Sequence, residues 1–271
     1  MTTRPLILMT NDDGVHSPGI QQAAEALMDL GDVLIAAPWE EQSSTGRSMR
    51  RDATRIIHTC EMMLDGHRTT AYGIEGTPAQ AVQHGVLELT SRKPDLLVSG
   101  INYGENMGRS VTISGTVMAA YEGAAWGIPA LAVSLQMNKE EQMALSADTD
   151  VSVAAFFTRM FAEMLLTNDF PDDVDILKVD VPKTATKATP WRLTRLSHQS
   201  YYIAHRPARR DFHTPLELGW EMSYDLDTLE PDSDIYALNV DNMVSVTPLS
   251  MDFSARVALP ELELRLRESG H

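Results

Sequence analysis

Cysteine is nearly absent: Cys60 is the only one among 271 residues. No intrachain disulfide is available, so the fold must rest on its core, and a reducing compartment fits. Long apolar runs are missing as well. The run at 6–9 is too short for a signal-peptide core. The stretch at 123–135, interrupted by Pro129, falls short of the roughly 20 residues that cross a bilayer. No membrane partner is expected, and the cytoplasm is the expected location. Positive charge is scarce too, with 22 Lys and Arg against 38 Asp and Glu, a formal net charge of −16. Such a surface repels phosphate backbones, which argues against a nucleic-acid duplex as partner. A small anion stays compatible if a bound dication inverts the local field.

What is present is ordinary for a globular protein: 43% hydrophobic and 22% charged residues. The length allows one large domain or two small ones. An apolar strand at 6–10 runs into N-D-D-G, and a helical pattern carried by Ile20, Ala23, Ala24 and Leu27 ends at Gly31. A second strand at 32–37 closes a βαβ unit. Residues 39–75 read as mixed short strands and turns. Further on come a helix at 78–89, a strand at 96–99, a glycine-rich loop with Gly100, Gly104 and Gly108, and a helix from 114 to about 126. A strand at 130–135, a helix at 151–166 and a strand at 176–181 follow. This alternation predicts an α/β fold, a doubly wound, Rossmann-like, mostly parallel sheet. After Pro182 the pattern changes to Pro-punctuated strand candidates, then a terminal helix at 259–266. The boundary falls near 185: a core at 1–185, and a β-rich C-terminal extension at 186–271. Trp191, Tyr201 and Tyr202 near Arg192, Arg195 and Arg206 read as a packed β-arm, and 206–210 as a solvated turn.

In such sheets the ligand lies beyond the carboxyl ends of the strands. Past the first strand come Asp12 and Asp13; past the second, Gln42, Ser43 and Ser44; past the 96–99 strand, Asn102 and Asn106. Ser114-Gly115-Thr116 opens a helix. The donors are all oxygen and amide, which suits magnesium, manganese or calcium and not zinc. Adjacent carboxylates repel, and a bound cation is the simplest way to keep both ionised. The helix start offers unpaired N–H groups and hydroxyls to an anion. Singly, each piece is a turn or an N-cap. Their convergence on one sheet edge points to phosphate-ester hydrolysis.

These residues resemble the SurE family, the stationary-phase survival proteins that act as metal-dependent nucleotidases. The likeness is carried by I-L-M-T-N-D-D-G-V-H-S-P-G-I at 7–20, A-P-W-E-E-Q-S-S at 37–44 and E-G-T-P-A-Q-A-V at 75–82. It continues through P-D-L-L-V-S-G-I-N-Y-G-E-N-M-G at 94–108, S-G-T-V-M-A-A-Y-E-G-A-A-W-G-I-P-A at 114–130 and V-S-V-T-P-L at 244–249. The resemblance implies one divalent cation per subunit, manganese or magnesium, held at Asp12, Asp13, Ser43 and Asn102. It places phosphate at Asn106, Ser114, Gly115 and Thr116. It implies hydrolysis of nucleoside 5′- and 3′-monophosphates, with short polyphosphate a substrate of some members. It also implies a homodimer or homotetramer exchanging a C-terminal arm. Two departures stand out: Ser44 replaces the usual glycine after the serine ligand, and Arg109 stands where the family is acidic.

In the expected reaction a polarised water attacks phosphorus in line, Asp13 or a neighbouring hydroxyl accepts its proton, and Ser114 and Thr116 neutralise phosphoryl charge. Direct attack by an aspartate is disfavoured, since D-D-G lacks D-x-D spacing. A non-catalytic, magnesium-binding phospho-receiver module is the alternative. It needs an aspartate at the carboxyl end of the third strand, whereas Asp95 lies at the other end. A dinucleotide-binding oxidoreductase would need G-x-G-x-x-G where N-D-D-G stands.

Overall fold

The computed structural model describes residues 4–144, 149–208, 211–216 and 218–268. The first strand, β1 (Leu6–Thr10), is buried because it runs through the middle of a large sheet. Its side chains alternate between two cores: Ile7 and Met9 pack on one face, Leu8 on the other. Helix α1 (Pro18–Leu27) starts where Ser17 accepts the Gly19 N–H and turns Ile20, Ala23, Ala24 and Leu27 inward. Strand β2 (Asp32–Pro38) then pairs in parallel with β1, completing the expected unit.

The mixed segment resolves into a hairpin, β3 (Ile57–Leu64) and β4 (His67–Ile74). Its turn is Asp65-Gly66, both at positive φ, the signature of a two-residue hairpin loop. Strand β4 pairs in parallel with β2, which puts the whole hairpin at one edge of the sheet. Helix α2 (Pro78–His84) opens with a capping box between Thr77 and Gln80, and a π turn at Gly85–Leu89 ends the expected 78–89 helix.

Strand β5 (Leu96–Tyr103) runs four residues beyond the expected 96–99. A bulge lies between Ser99 and Asn102, so Asn102 belongs to the strand and not to the glycine-rich loop. Gly100 makes this fit: its φ is +132°, and a Cβ there would lie 2.4 Å from the Val133 carbonyl oxygen. A 3₁₀ turn (Gly108–Ile113) leads to α3 (Gly115–Ala125), β6 (Ala130–Leu135), the short α4 (Lys139–Ala144), α5 (Ser152–Thr167) and β7 (Ile176–Val181). Helices α1 and α5 cover one face, α2 and α3 the other.

Beyond residue 185 the chain returns to the same sheet. Strand β8 (Trp191–Leu193) pairs with β11 (Val244–Leu249), and β11 pairs antiparallel with β7. The sheet order is β3-β4-β2-β1-β5-β6-β7-β11-β8. The boundary read near 185 therefore does not divide the sheet. What stands off is a small ribbon, β9 (Tyr202–Ala204) with β10 (Trp220–Met222), and the terminal helix α7 (Leu259–Glu268). Between them α6 (Asp234–Asn239) packs with Met107, Tyr201 and Leu229 in a third, smaller core. Of the turn expected at 206–210, Arg209 and Arg210 lie outside the described residues.

Candidate active site

Three backbone and side-chain contacts assemble the site at the carboxyl edge of β1, β2 and β5. The Gln42 N–H donates to the Asp12 carbonyl oxygen at 2.7 Å, and the Gly46 N–H donates to that of Ile113 at 3.0 Å. Ser43 and Ser44 are thus carried between the aspartates and the start of α3. The Thr116 hydroxyl donates to Asp12 Oδ1 at 2.5 Å. Gly115 lies against the same carboxylate, where a Cβ would sit 2.7 Å from Asp12 Cβ and Oδ2. Thr116 and Gly115 are therefore in contact with Asp12, Ser114 precedes them at the helix start, and Ser43 follows the Gln42 that bonds the Asp12 backbone.

Each of the other candidates has a definite place. Ser114 is the N-cap of α3, its Oγ accepting the Val117 N–H at 3.1 Å, which leaves its own proton for an anion. Asn102 donates through Nδ2 to the Gly104 carbonyl at 2.6 Å, leaving its Oδ1 as an acceptor. Its neighbour Tyr103 lines one small cavity together with Asp13, His16 and Trp39. Ser43 is exposed and donates to Glu41 Oε1 at 2.7 Å. Arg109 is exposed at the start of the 3₁₀ turn.

The electrostatics are those of a place that lacks positive charge. Burial pushes the Asp12 carboxyl up to about 6 despite the Thr116 bonds, and Glu41 adds to the rise. Burial, then repulsion from Asp12 and Glu41, push Asp13 well above its ordinary value. Asp13 Oδ2 and Asn11 Oδ1 are buried and accept no hydrogen bond. An orphaned carboxylate oxygen and an orphaned amide oxygen beside a second carboxylate are what a hard dication would satisfy. Among the described residues no group of three or more His, Cys, Asp or Glu is arranged to hold a metal. The donors that fit are accordingly two carboxylates with neutral oxygens. Glu41 was not singled out from the sequence; its only signal there is the acidic pair just before Gln42.

Asn106 is held by a buried charge network that no sequence motif announced. Its N–H donates to Asp180 Oδ1 at 2.8 Å, and its Nδ2 to Ser134 Oγ at 2.8 Å. Lys178 donates to the Asn106 carbonyl oxygen at 2.7 Å and pairs with Asp180 and Asp234, all three side chains being fully buried. Burial would lower the Lys178 pKa, but the two carboxylates outweigh it and raise it. Asp234, from α6, also accepts the Gly108 N–H at 2.9 Å. The residues that frame the glycine-rich loop thus come partly from the C-terminal segment. Tyr201 and Tyr202 pack there too, donating to the Glu105 carboxylate at 2.6 Å and the Glu105 carbonyl at 2.7 Å.

The chain has many relatives. The family model described as survival protein SurE matches residues 7–203. A protein named 5′-nucleotidase SurE from Thermococcus gammatolerans is 38% identical over 257 residues, covering 95% of this chain and 94% of that one. One of the same name from Methanocella arvoryzae is 38% identical over 271 residues, covering 97% and 98%. The crystal structure of the SurE protein from Aquifex aeolicus superposes with a TM-score of 0.73 at 28% identity, covering 97% of this chain and all of that one. A match running from β1 into the β9 ribbon, with relatives aligned nearly end to end, makes this chain a member of the SurE family.

Proposed function

We propose that the protein is a metal-dependent 5′-nucleotidase that hydrolyses nucleoside monophosphates to nucleoside and inorganic phosphate. The observation that carries this reading is the unbonded, buried Asp13 Oδ2 beside an Asp12 that Thr116 and Gly115 lock against the α3 N-terminus. The names of the relatives, 5′-nucleotidase SurE, supply the substrate class.

Asp12, Asp13, Ser43 and Asn102 would hold one divalent cation per subunit, manganese or magnesium. When bound, the cation neutralises phosphoryl charge and acidifies a water. The chain supplies the rest. Ser114 donates its free hydroxyl proton to a phosphoryl oxygen, helped by the positive end of α3. Asp13 accepts the proton of the water that attacks phosphorus, and the ester P–O bond breaks as the nucleoside oxygen leaves with the bond pair and takes up a proton from solvent. Thr116 fixes the Asp12 carboxylate, and with its one hydroxyl proton committed there it has none left to donate to the anion that the sequence assigned to it. The receiver-module alternative lacks its acceptor, because β5 carries Asn102 and not an aspartate at its carboxyl end.

A homodimer or homotetramer fits the terminal helix: α7 buries nothing, and Leu259, Leu262, Leu264 and Leu266 are exposed along it. No helix among the described residues is long and apolar enough to cross a membrane.

The test is phosphate release from a panel of nucleoside 5′- and 3′-monophosphates and short polyphosphate, with and without manganese. Turnover is expected to vanish in EDTA, to return with manganese, and to be lost in Asp13→Asn with the melting curve intact. Full turnover by Asp13→Asn, or in EDTA, would overturn the assignment.

A further inference from the structure

Two cavities meet at one indole. The smaller, about 210 Å³, has Asp13 in its wall and lies over the candidate reaction centre. The larger, about 400 Å³, lies beyond the carboxyl ends of β2 and β4. Trp39 lines both. The segment between them is tied to the centre, since the Gln42 N–H bonds the Asp12 carbonyl at 2.7 Å and Gln42 also lines the larger cavity.

Trp39 is held from several sides. Its backbone N–H donates to the Ile74 carbonyl at 2.8 Å. His58 lies along it with ring centroids 4.4 Å apart and a 34° tilt, and His16 meets it edge-on at 4.9 Å. His58 is in turn fixed by Glu75 at 2.8 Å. Gly73 lies so close that a Cβ there would be 2.4 Å from Trp39 Cε3. The indole is nevertheless only half-buried. An ordered aromatic surface of this kind offers stacking without a large entropic cost of immobilisation.

The charge of the larger cavity selects what can stack there. Glu40, Asp52 and Glu75 line it against a single cation, Arg50, which is already paired with Asp52 at 2.9 Å. A phosphate or polyphosphate tail would be repelled. A neutral heterocycle with N–H donors would be accepted.

We propose that Trp39 is the stacking platform for the nucleobase of the substrate. The base enters the larger cavity, and the ribose crosses the smaller one toward Asp13. This rests on the nucleotidase reading and adds to it the residue that makes the enzyme recognise a nucleoside and not any phosphate ester.

The test compares AMP with ribose 5-phosphate, which carries no base, in wild type, Trp39→Leu and Trp39→Phe. Stacking on an aromatic ring predicts a rise in KM for AMP of about tenfold or more in Trp39→Leu. For ribose 5-phosphate the same variant should shift KM less than about twofold. Trp39→Phe keeps a ring and should hold the AMP value within about threefold of wild type. Should Trp39→Leu not fold, fluorescence decides: adenosine, the product, should quench wild type and fail to quench Trp39→Phe. Equal KM shifts for both substrates, no shift for either, or a quench that survives Trp39→Phe would overturn the platform while leaving the nucleotidase reading standing. Wild type inert toward both substrates would overturn both.

Discussion

Gly115→Ala separates a carboxylate-positioning role from ordinary packing, because α3 contains its own control. A Cβ at Gly115 would lie 2.7 Å from Asp12 Cβ and Oδ2; a Cβ at Gly123, two turns along, would lie 2.7 Å from Leu97 Cδ2. The overlap is the same, but one neighbour is the candidate metal ligand and the other a core leucine. Ordinary contact begins near 3.4 Å, so either pair must part by roughly 0.7 Å. At Gly123 the side chain of Leu97 yields, at an overpacking cost of about 1–3 kcal/mol, partly offset by about 1 kcal/mol of helix propensity. At Gly115 the displaced group is Asp12, whose place is fixed by Thr116 at 2.5 Å. A misplacement approaching 1 Å in a reacting geometry costs on the order of 100-fold in rate, or about 2.7 kcal/mol of barrier. Expected results are a fall in kcat/KM of about 100-fold for Gly115→Ala with a small change in Tm. For Gly123→Ala the expectation is a lower Tm with kcat/KM within about threefold of wild type. The assays are manganese-supported AMP hydrolysis and thermal melting. If Gly115→Ala keeps its kcat/KM, or Gly123→Ala loses as much, the close approach of Asp12 to α3 is not what organises catalysis.

Ser44 stands at φ 61°, a left-handed conformation that costs a side-chain-bearing residue about 1 kcal/mol or more. Ser44→Gly should relieve it, net of the looser unfolded chain, and raise Tm by about 1–3 °C; a lower Tm would refute the strain. In metal-free protein the Asp12 carboxyl is raised from 3.8 to about 6 by burial, against the pull of the Thr116 bonds. A raised acid destabilises once ionised, so its contribution is full below the unfolded value and falls away as pH climbs to about 6. Denaturant titration in chelator should therefore show wild type losing about 2 kcal/mol relative to Asp12→Asn between pH 4 and 7, and a flat difference would refute it.

Much of the fold was legible because its strands are short apolar runs ended by turn residues, and its helices carry a regular apolar face. Ile7, Met9 and Leu8 serve opposite cores, so their run is continuous and reads as a doubly covered strand. The hairpin β3–β4 was not resolved, although Asp65-Gly66 is its turn signal. The edge strand β3 buries only Met62 and Leu64 and is otherwise half-buried or exposed, so its pattern lacks the apolar weight that marked the central strands. The extension of β5 was hidden for another reason. Gly100 reads as the start of a loop, whereas it is the bulge that lets the strand pass close to β6 and continue to Tyr103.

The candidate site divides in the same way. Asp12, Asp13 and Ser114 to Thr116 were legible because their chemistry is local: adjacent acids after a strand, and hydroxyls at a helix start. What holds them is not local. Asp180 and Lys178 on β7 bind the N–H and carbonyl of Asn106 from more than 70 positions along the chain, and Asp234 on α6 pairs with Lys178 and accepts the Gly108 N–H. In sequence Lys178 and Asp180 interrupt an otherwise apolar strand, and charges on a strand normally point to solvent. Here they face inward, and the two carboxylates that hold Lys178 are the compensation that lets it stay charged. A buried charge on a core strand therefore signals a partner elsewhere in the chain. In this protein that partner is the loop on which Asn106 is carried.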